Sequence, residues 1–282
     1  MPSLAEPARW ALPSPDSASG CFETMRVYRG RIFRLSAHLQ RLEASAQYLG
    51  VRLSLTFAQL GRRLTRAVAN AGIREAVVRV ALIPACAPSN GAGRPKTQRL
   101  ASPSIVVQPV PLPPAASYQR GIHVAVVPTR RFPVSQIDPQ AKFSARLGSI
   151  QAVMEAQLRH ADEAVFMDGL GSVTESTASN LGIIKDGVVL APPCWLGLLA
   201  GVTWQVLGEA ARELRVPVRE APLTRHDLYN ANEAFLTSTL KEVLPVTRID
   251  GRLIGTGTPG PLTQRLHRAF RRVVERELDG DR

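Results

Sequence analysis

Apolar and polar residues alternate over 22–28, which predicts a strand, and Arg29-Gly30 reads as a turn into a returning strand over 31–35. The period then lengthens. Leu39, Leu42, Ala46 and Leu49 recur at helical spacing behind Ser36, a favourable N-cap residue, and a second helix is predicted over 57–71. Strands follow at 76–83 and 104–110, separated by a stretch (84–103) rich in Pro, Gly, Ser and Asn that should be an exposed loop.

Prolines crowd the segment Pro109-Val-Pro-Leu-Pro-Pro114, where composition also shifts, so a domain linker is placed at 111–117. It divides the chain into a small α/β unit, 1–110, and a larger unit, 118–282. The larger unit alternates again: strands at 123–127, 163–167, 179–185 and 188–190, and around Val218 and 234–238. Helices are predicted at 147–159 and 203–214 and at the C-terminal end. Mixed strands and helices in two unequal units predict an α+β fold, and no internal repeat is visible.

With 282 residues, 45% of them hydrophobic, the chain can bury a substantial core. No apolar run approaches a membrane span, and the first residues lack the basic start and apolar centre of a signal peptide, so a cytoplasmic location is expected. Cys21, Cys86 and Cys194 are too widely spaced for a disulfide framework or a zinc site. The formal charge of +12 raises a non-catalytic, nucleic-acid-associated alternative. Against it, the densest basic group (Arg265, Arg268, Arg271, Arg272, Arg276) is interleaved with Leu266, Phe270 and Val273, the pattern of an amphipathic helix with a solvated face.

Of 35 basic residues only four are lysines, so lysine chemistry is easily located. Lys96 lies in the predicted loop and Lys185 in a Lys-Asp-Gly turn. Lys142 follows Asp138-Pro139 and stands in Ala-Lys-Phe-Ser near the start of an apolar helix, a setting that can lower its pKa for Schiff-base formation. Glu175 stands among small residues in Val173-Thr-Glu-Ser-Thr, where a flat ligand can approach and a carboxylate can pair with a protonated ring nitrogen. Gly201-Val-Thr before a helix, and Thr237-Ser-Thr after an apolar strand, offer donors for a phosphate.

Taken together, these segments resemble the class IV aminotransferases, which include branched-chain and D-amino-acid aminotransferases and 4-amino-4-deoxychorismate lyase. The resemblance runs in order along nearly the whole chain: Gly20-Cys-Phe-Glu-Thr-Met-Arg-Val-Tyr, His38-Leu-Gln-Arg-Leu, Lys142-Phe-Ser-Ala-Arg-Leu, Val173-Thr-Glu, Ser179-Asn-Leu, Gly201-Val-Thr, Asn232-Glu-Ala-Phe-Leu-Thr and Gly260-Pro-Leu-Thr. It implies the two-domain class IV fold, with pyridoxal 5′-phosphate bound between the domains. Lys142 would hold the cofactor and carry the Cα proton, Glu175 would pair with the pyridine nitrogen, and Arg41, Val202, Thr203, Ser238 and Thr239 would bind the phosphate. Phe22, Thr24 and Arg146 would line the substrate pocket.

The resemblance also implies a homodimer acting on an amino acid and a 2-oxo acid, with a branched-chain aminotransferase ranked first. The lyase, which releases p-aminobenzoate and pyruvate from aminodeoxychorismate, is the alternative, and Thr24 matches a threonine of that enzyme. Some positions depart from the family pattern. Ser17 precedes the first strand where a Gly-Asp-Gly or Tyr-Gly is common, and Ala145 and Arg146 replace a frequent asparagine and tyrosine. The strand Val78-Arg-Val-Ala-Leu shows neither of the usual arginine patterns, so no carboxylate-binding arginine is expected on it.

Overall fold

The computed structural model describes residues 20–84 and 99–280; Ser17, Cys86, Lys96 and most of the predicted loop lie outside these. The first sheet contains β1 (Cys21–Tyr28), β2 (Arg31–Ile32), β3 (Val51–Leu53), β4 (Ala76–Pro84) and β5 (Arg99–Pro109) in the order β2-β1-β4-β5-β3. Helices α1 (Leu35–Tyr48) and α2 (Phe57–Ala71) cover one face of it. The two-residue alternation of β1 sets the division. Cys21, Met25 and Val27 join Leu42 of α1 and Leu60, Leu64 and Val68 of α2 in one core, and Phe22, Thr24 and Tyr28 turn to the opposite face.

The second sheet is built from β6 (Ile122–Arg130), β7 (Glu163–Met167), β8 (Val173–Ser176), β9 (Asn180–Lys185), β10 (Val188–Ala191), β11 (Val218–Glu220), β12 (Glu233–Ser238), β13 (Glu242–Ile249) and β14 (Arg252–Leu253). Its strands run β11-β10-β9-β12-β13-β6-β7-β8, and β8 also pairs with β9. That extra pairing closes six strands into a barrel-like ring filled by Val124, Val165, Val173, Leu181, Ile183, Leu236 and Leu244. Outside it lie α4 (Leu147–Gln157), on β6 and β7, and α5 (Val202–Glu213) packed with α7 (Pro261–Gly280); the short α6 (Arg225–Tyr229) precedes β12. As the sequence pattern predicts, α7 buries Leu266, Phe270 and Val273, while Arg271 and Arg276 form ion pairs with Glu242 and Glu213.

The α+β architecture is the predicted one, but several local expectations are corrected. Strand β2 stops at Ile32, and α1 starts before Ser36: its N-cap is Arg34, in the left-handed region at φ 54°. Strand β5 begins at Arg99, inside the predicted loop. Part of the proposed linker is the helix α3 (Ala115–Arg120), which follows Pro114 directly.

Candidate active site

Lys142 is not at a helix entry. It lies in an extended segment laid against β1, five residues before α4. The Phe22 N–H donates to Lys142 O (3.1 Å), the Ser144 N–H to Gly20 O (2.8 Å) and the Lys142 N–H to Ser45 Oγ on α1 (3.0 Å). The half-buried side chain brings Nζ to 4.9 Å from the centre of the Phe22 ring. Burial first, and then the Arg41 charge, push the amine down to about 7, so a large neutral fraction exists near neutral pH.

Glu175, on β8, is paired at both oxygens. Oε1 meets Arg131 Nη2 at 2.6 Å, and Oε2 accepts the Leu199 N–H at 3.0 Å. Arg131 stands just past β6 and was not among the residues singled out by sequence; an arginine beside another arginine at a strand end carries no local signal of this pairing.

Arg41, on α1, donates to Glu23 from Nε (2.6 Å) and Nη2 (3.0 Å) and to Ala200 O from Nη1 (2.7 Å). Three of its five N–H groups are used, which leaves two for an anion. Ala200 leads directly into α5, whose N-cap Gly201 supplies no side-chain cap, so the first N–H groups of the helix, at Val202 and Thr203, remain available beside the Arg41 guanidinium. Gly201 is required by close approach: a Cβ there would lie 1.9 Å from Asn180 Oδ1. Asn180 Nδ2 in turn holds Leu199 O at 2.8 Å.

Glu23 explains the posture of Arg41. Its carboxylate is completely buried and also accepts from His38 Nδ1 at 2.9 Å. Burial alone would raise its pKa, but Arg41 and His38 together hold it well below the usual carboxylate range. The sequence did carry a sign of this: Glu23 shares the strand parity of Cys21 and Met25, and a carboxylate at a core position needs cationic partners.

Arg79, on β4, shares the sheet face of Phe22 and Thr24. Its Cζ lies 4.3 Å from the centre of the Phe22 ring, and it is the cross-strand neighbour of Thr24. Arg146 donates from Nη2 to Thr177 O and is pushed down by burial and then by Arg131. Phe22, Thr24, Arg79, Arg146 and Lys142 thus gather around one wall.

Ser238 ends β12 and Thr239 opens the turn after it, both partly buried, with Ser238 Oγ accepting the Lys241 N–H at 3.2 Å. They join the other groups indirectly, through Lys241, Glu163 and Thr177 to Arg146. Ser176 Oγ, Thr237 Oγ1 and Arg131 Nε are buried and bond to no group among the described residues. This donor set fits a flat, phosphate-bearing aldehyde: a part-neutral lysine amine, a fixed carboxylate, and an anion end built from spare guanidinium and helix-start N–H groups.

The sequence profile of the family described as amino-transferase class IV matches residues 20–249. A Methanocaldococcus jannaschii protein, provisionally named a branched-chain-amino-acid aminotransferase, is 34% identical over 90% of this chain and 86% of its own length. A D-alanine aminotransferase of Bacillus licheniformis is 32% identical over 90% of this chain and 87% of its own. The crystal structure of a branched-chain amino acid aminotransferase from Thermobaculum terrenum in its PLP form superposes with a TM-score of 0.84 at 26% identity, over 92% of this chain and 86% of that one. By profile, by relatives and by fold, the chain belongs to the class IV aminotransferase family.

Proposed function

We propose that this protein is a pyridoxal-phosphate-dependent aminotransferase that moves an amino group between an amino acid, branched-chain type first, and a 2-oxo acid. One observation carries the reading: Lys142, held down to about 7, lies with a fixed carboxylate, Glu175, and an anion end at Arg41 and the start of α5. When bound, pyridoxal phosphate supplies a conjugated electron sink for the carbanion left when an amino acid loses its α-proton.

The chain's own residues then divide the work. Arg41, the N–H groups of Val202 and Thr203, and the Ser238 and Thr239 hydroxyls bind the phosphate. Glu175, fixed by Arg131 and the Leu199 N–H, would pair with the ring nitrogen. Lys142 Nζ would anchor the cofactor, accept the substrate α-proton and deliver it to the cofactor carbon that keeps the amino group, not back to the substrate. Phe22, Thr24 and Arg146 shape the substrate wall, and the cations Arg79 and Arg146 there suit a substrate bearing carboxylates.

The preference for branched-chain substrates is supported by the names of the Methanocaldococcus jannaschii and Thermobaculum terrenum relatives. The two sheets correspond to two domains joined through 111–117, with the site where they meet. A homodimer is part of the same reading. Along α4 and its C-cap, Leu147, Met154 and Leu158 are 78%, 59% and 83% exposed on one stripe with Ile150, close in sequence to Lys142. The cytoplasm is the proposed location; among the described residues no helix is long and apolar enough to cross a membrane.

A second reading, aminodeoxychorismate lyase, is favoured by Thr24, which lies partly exposed on the site face of β1 opposite Arg79. The test is the visible spectrum of the protein saturated with pyridoxal phosphate, before and after borohydride, for wild type and Lys142→Ala. The expected result is a chromophore in wild type alone, reductively trapped at Lys142. Absence of cofactor binding in wild type would sink the reading. A panel of amino acids, scored by conversion to pyridoxamine phosphate, and release of p-aminobenzoate and pyruvate from aminodeoxychorismate then separate the two reactions.

A further inference from the structure

Lys241 has no part in the reading above, yet it is one of only four lysines in the chain. It sits in the turn between β12 and β13, where its Nζ pairs with Glu163 Oε2 and donates to Ser179 Oγ at 3.2 Å. Glu163, at the head of β7, is only 8% exposed, and its other oxygen accepts the Thr177 hydroxyl at 2.5 Å. The carbonyl of Thr177 is the group that holds Arg146. A carboxylate so buried is costly without its cation, so Lys241 and Glu163 act as a unit.

The same turn is pulled from the opposite side. Glu242, the next residue, sends its carboxylate to Tyr28 Oη (2.8 Å), His267 Nε2 (2.8 Å) and Arg271 Nη1 (2.6 Å). Tyr118 Oη also donates to Lys241 O at 2.9 Å. Glu242 has φ 52°, in the left-handed region that a residue with a side chain occupies only when its surroundings over-determine it. Two consecutive side chains, each in a buried polar cluster and each directed to a different part of the fold, therefore fix the turn that carries Ser238 and Thr239. Within the turn, the Lys241 N–H donates to Ser238 Oγ.

We propose that Lys241 is a positioning residue: through Glu163 and Ser179 it holds the Ser238–Thr239 turn in the shape that receives the cofactor phosphate, and it links that turn to Arg146. The inference rests on the pyridoxal-phosphate reading of the preceding section. A role confined to the phosphate end leaves a particular signature, because pyridoxal shares the ring and aldehyde of pyridoxal phosphate but has nothing for the turn to hold.

The experiment is titration of the apo-protein with pyridoxal phosphate and with pyridoxal, followed by absorbance, for wild type, Lys241→Met, Lys241→Arg, Glu163→Gln and the Lys241→Met/Glu163→Gln double variant. In Lys241→Met the preference for the phosphorylated ligand is expected to fall about tenfold while pyridoxal affinity stays within about twofold of wild type. Lys241→Arg is expected to keep most of the preference. Glu163→Gln is expected to match Lys241→Met, with little further loss in the double variant.

An unchanged preference in Lys241→Met, or equal weakening of both ligands together with a lowered Tm, overturns the positioning role and leaves the cofactor reading intact. If wild type binds neither ligand, the cofactor reading itself falls and takes this inference with it. Should Lys241→Met fail to fold, Glu163→Gln decides, since it removes the same ion pair while keeping the size of the buried side chain.

Discussion

Glu23 carries a charge into the core of the first sheet, where Arg41 Nε, Arg41 Nη2 and His38 Nδ1 all reach it. His38 is itself pushed down by burial, so at neutral pH it is an uncharged imidazole donating its Nδ1–H, and Arg41 supplies the countercharge. Because the folded Glu23 carboxyl titrates below its unfolded value of about 4.3, its contribution to stability is present above that pH and is lost as pH falls through the acid range. Glu23→Gln is therefore expected to destabilise the protein at pH 7 by about 3 kcal/mol, since it leaves Arg41 without its buried partner. Urea unfolding at pH 7 and pH 3 checks this: the gap between wild type and variant should narrow at the lower pH, and a gap independent of pH would refute the account. Lys142, Glu175, Gly201 and the Ser238 turn were all visible in sequence because each stands in a short segment with its own chemical character. Their partners were not. Arg131 is distant in sequence from Glu175, as Glu163 is from Lys241, and only the folded chain brings each pair together.

Among the elements, the predicted bounds of α2 match the helix because its signals are local: Thr56 and Gln59 form a reciprocal capping box and Gly72 closes the helix in the left-handed region. The start of α1 was misplaced for the opposite reason. Arg34 holds a left-handed N-cap because its guanidinium is tied to Glu209 of α5 and Glu277 of α7, and these distant ion pairs outweigh the capping preference of Ser36. The sequence pattern does not predict strand β13, because Pro245 interrupts it. In the structure that proline pairs with Phe235 on β12, while pairing with β6 begins only at Val246, so its missing N–H is tolerated. Helix α5 supplies a prediction at this scale. Gly201→Ala keeps an accessible backbone conformation at φ −72°, but its methyl must displace Asn180 and with it the hold on Leu199. Cofactor affinity should weaken about tenfold, with a stability loss of about 1–3 kcal/mol; an unchanged Kd for pyridoxal phosphate would show that the start of α5 lies outside the anion site.

For the molecule as a whole, the apolar stripe on α4 makes the assembly state testable. If a second copy covers it, replacing Leu147 and Met154 together by Glu should convert a dimer to a monomer in analytical ultracentrifugation, because each exposed large apolar side chain contributes about 1.5–3 kcal/mol when fully buried. A wild-type protein that is already monomeric at micromolar concentration would remove the dimer from the proposal. The Glu242 hub has a consequence in time rather than space. Its carboxylate gathers Tyr28, 214 residues earlier in the chain, and Arg271, 29 residues later. During synthesis Tyr28 emerges long before Arg271, so the turn after β12 lacks its second anchor until α7 has left the exit tunnel. Capture of cofactor by a nascent chain would then await the emergence of α7, and β1 would stay until that moment without the partner that locks it in place.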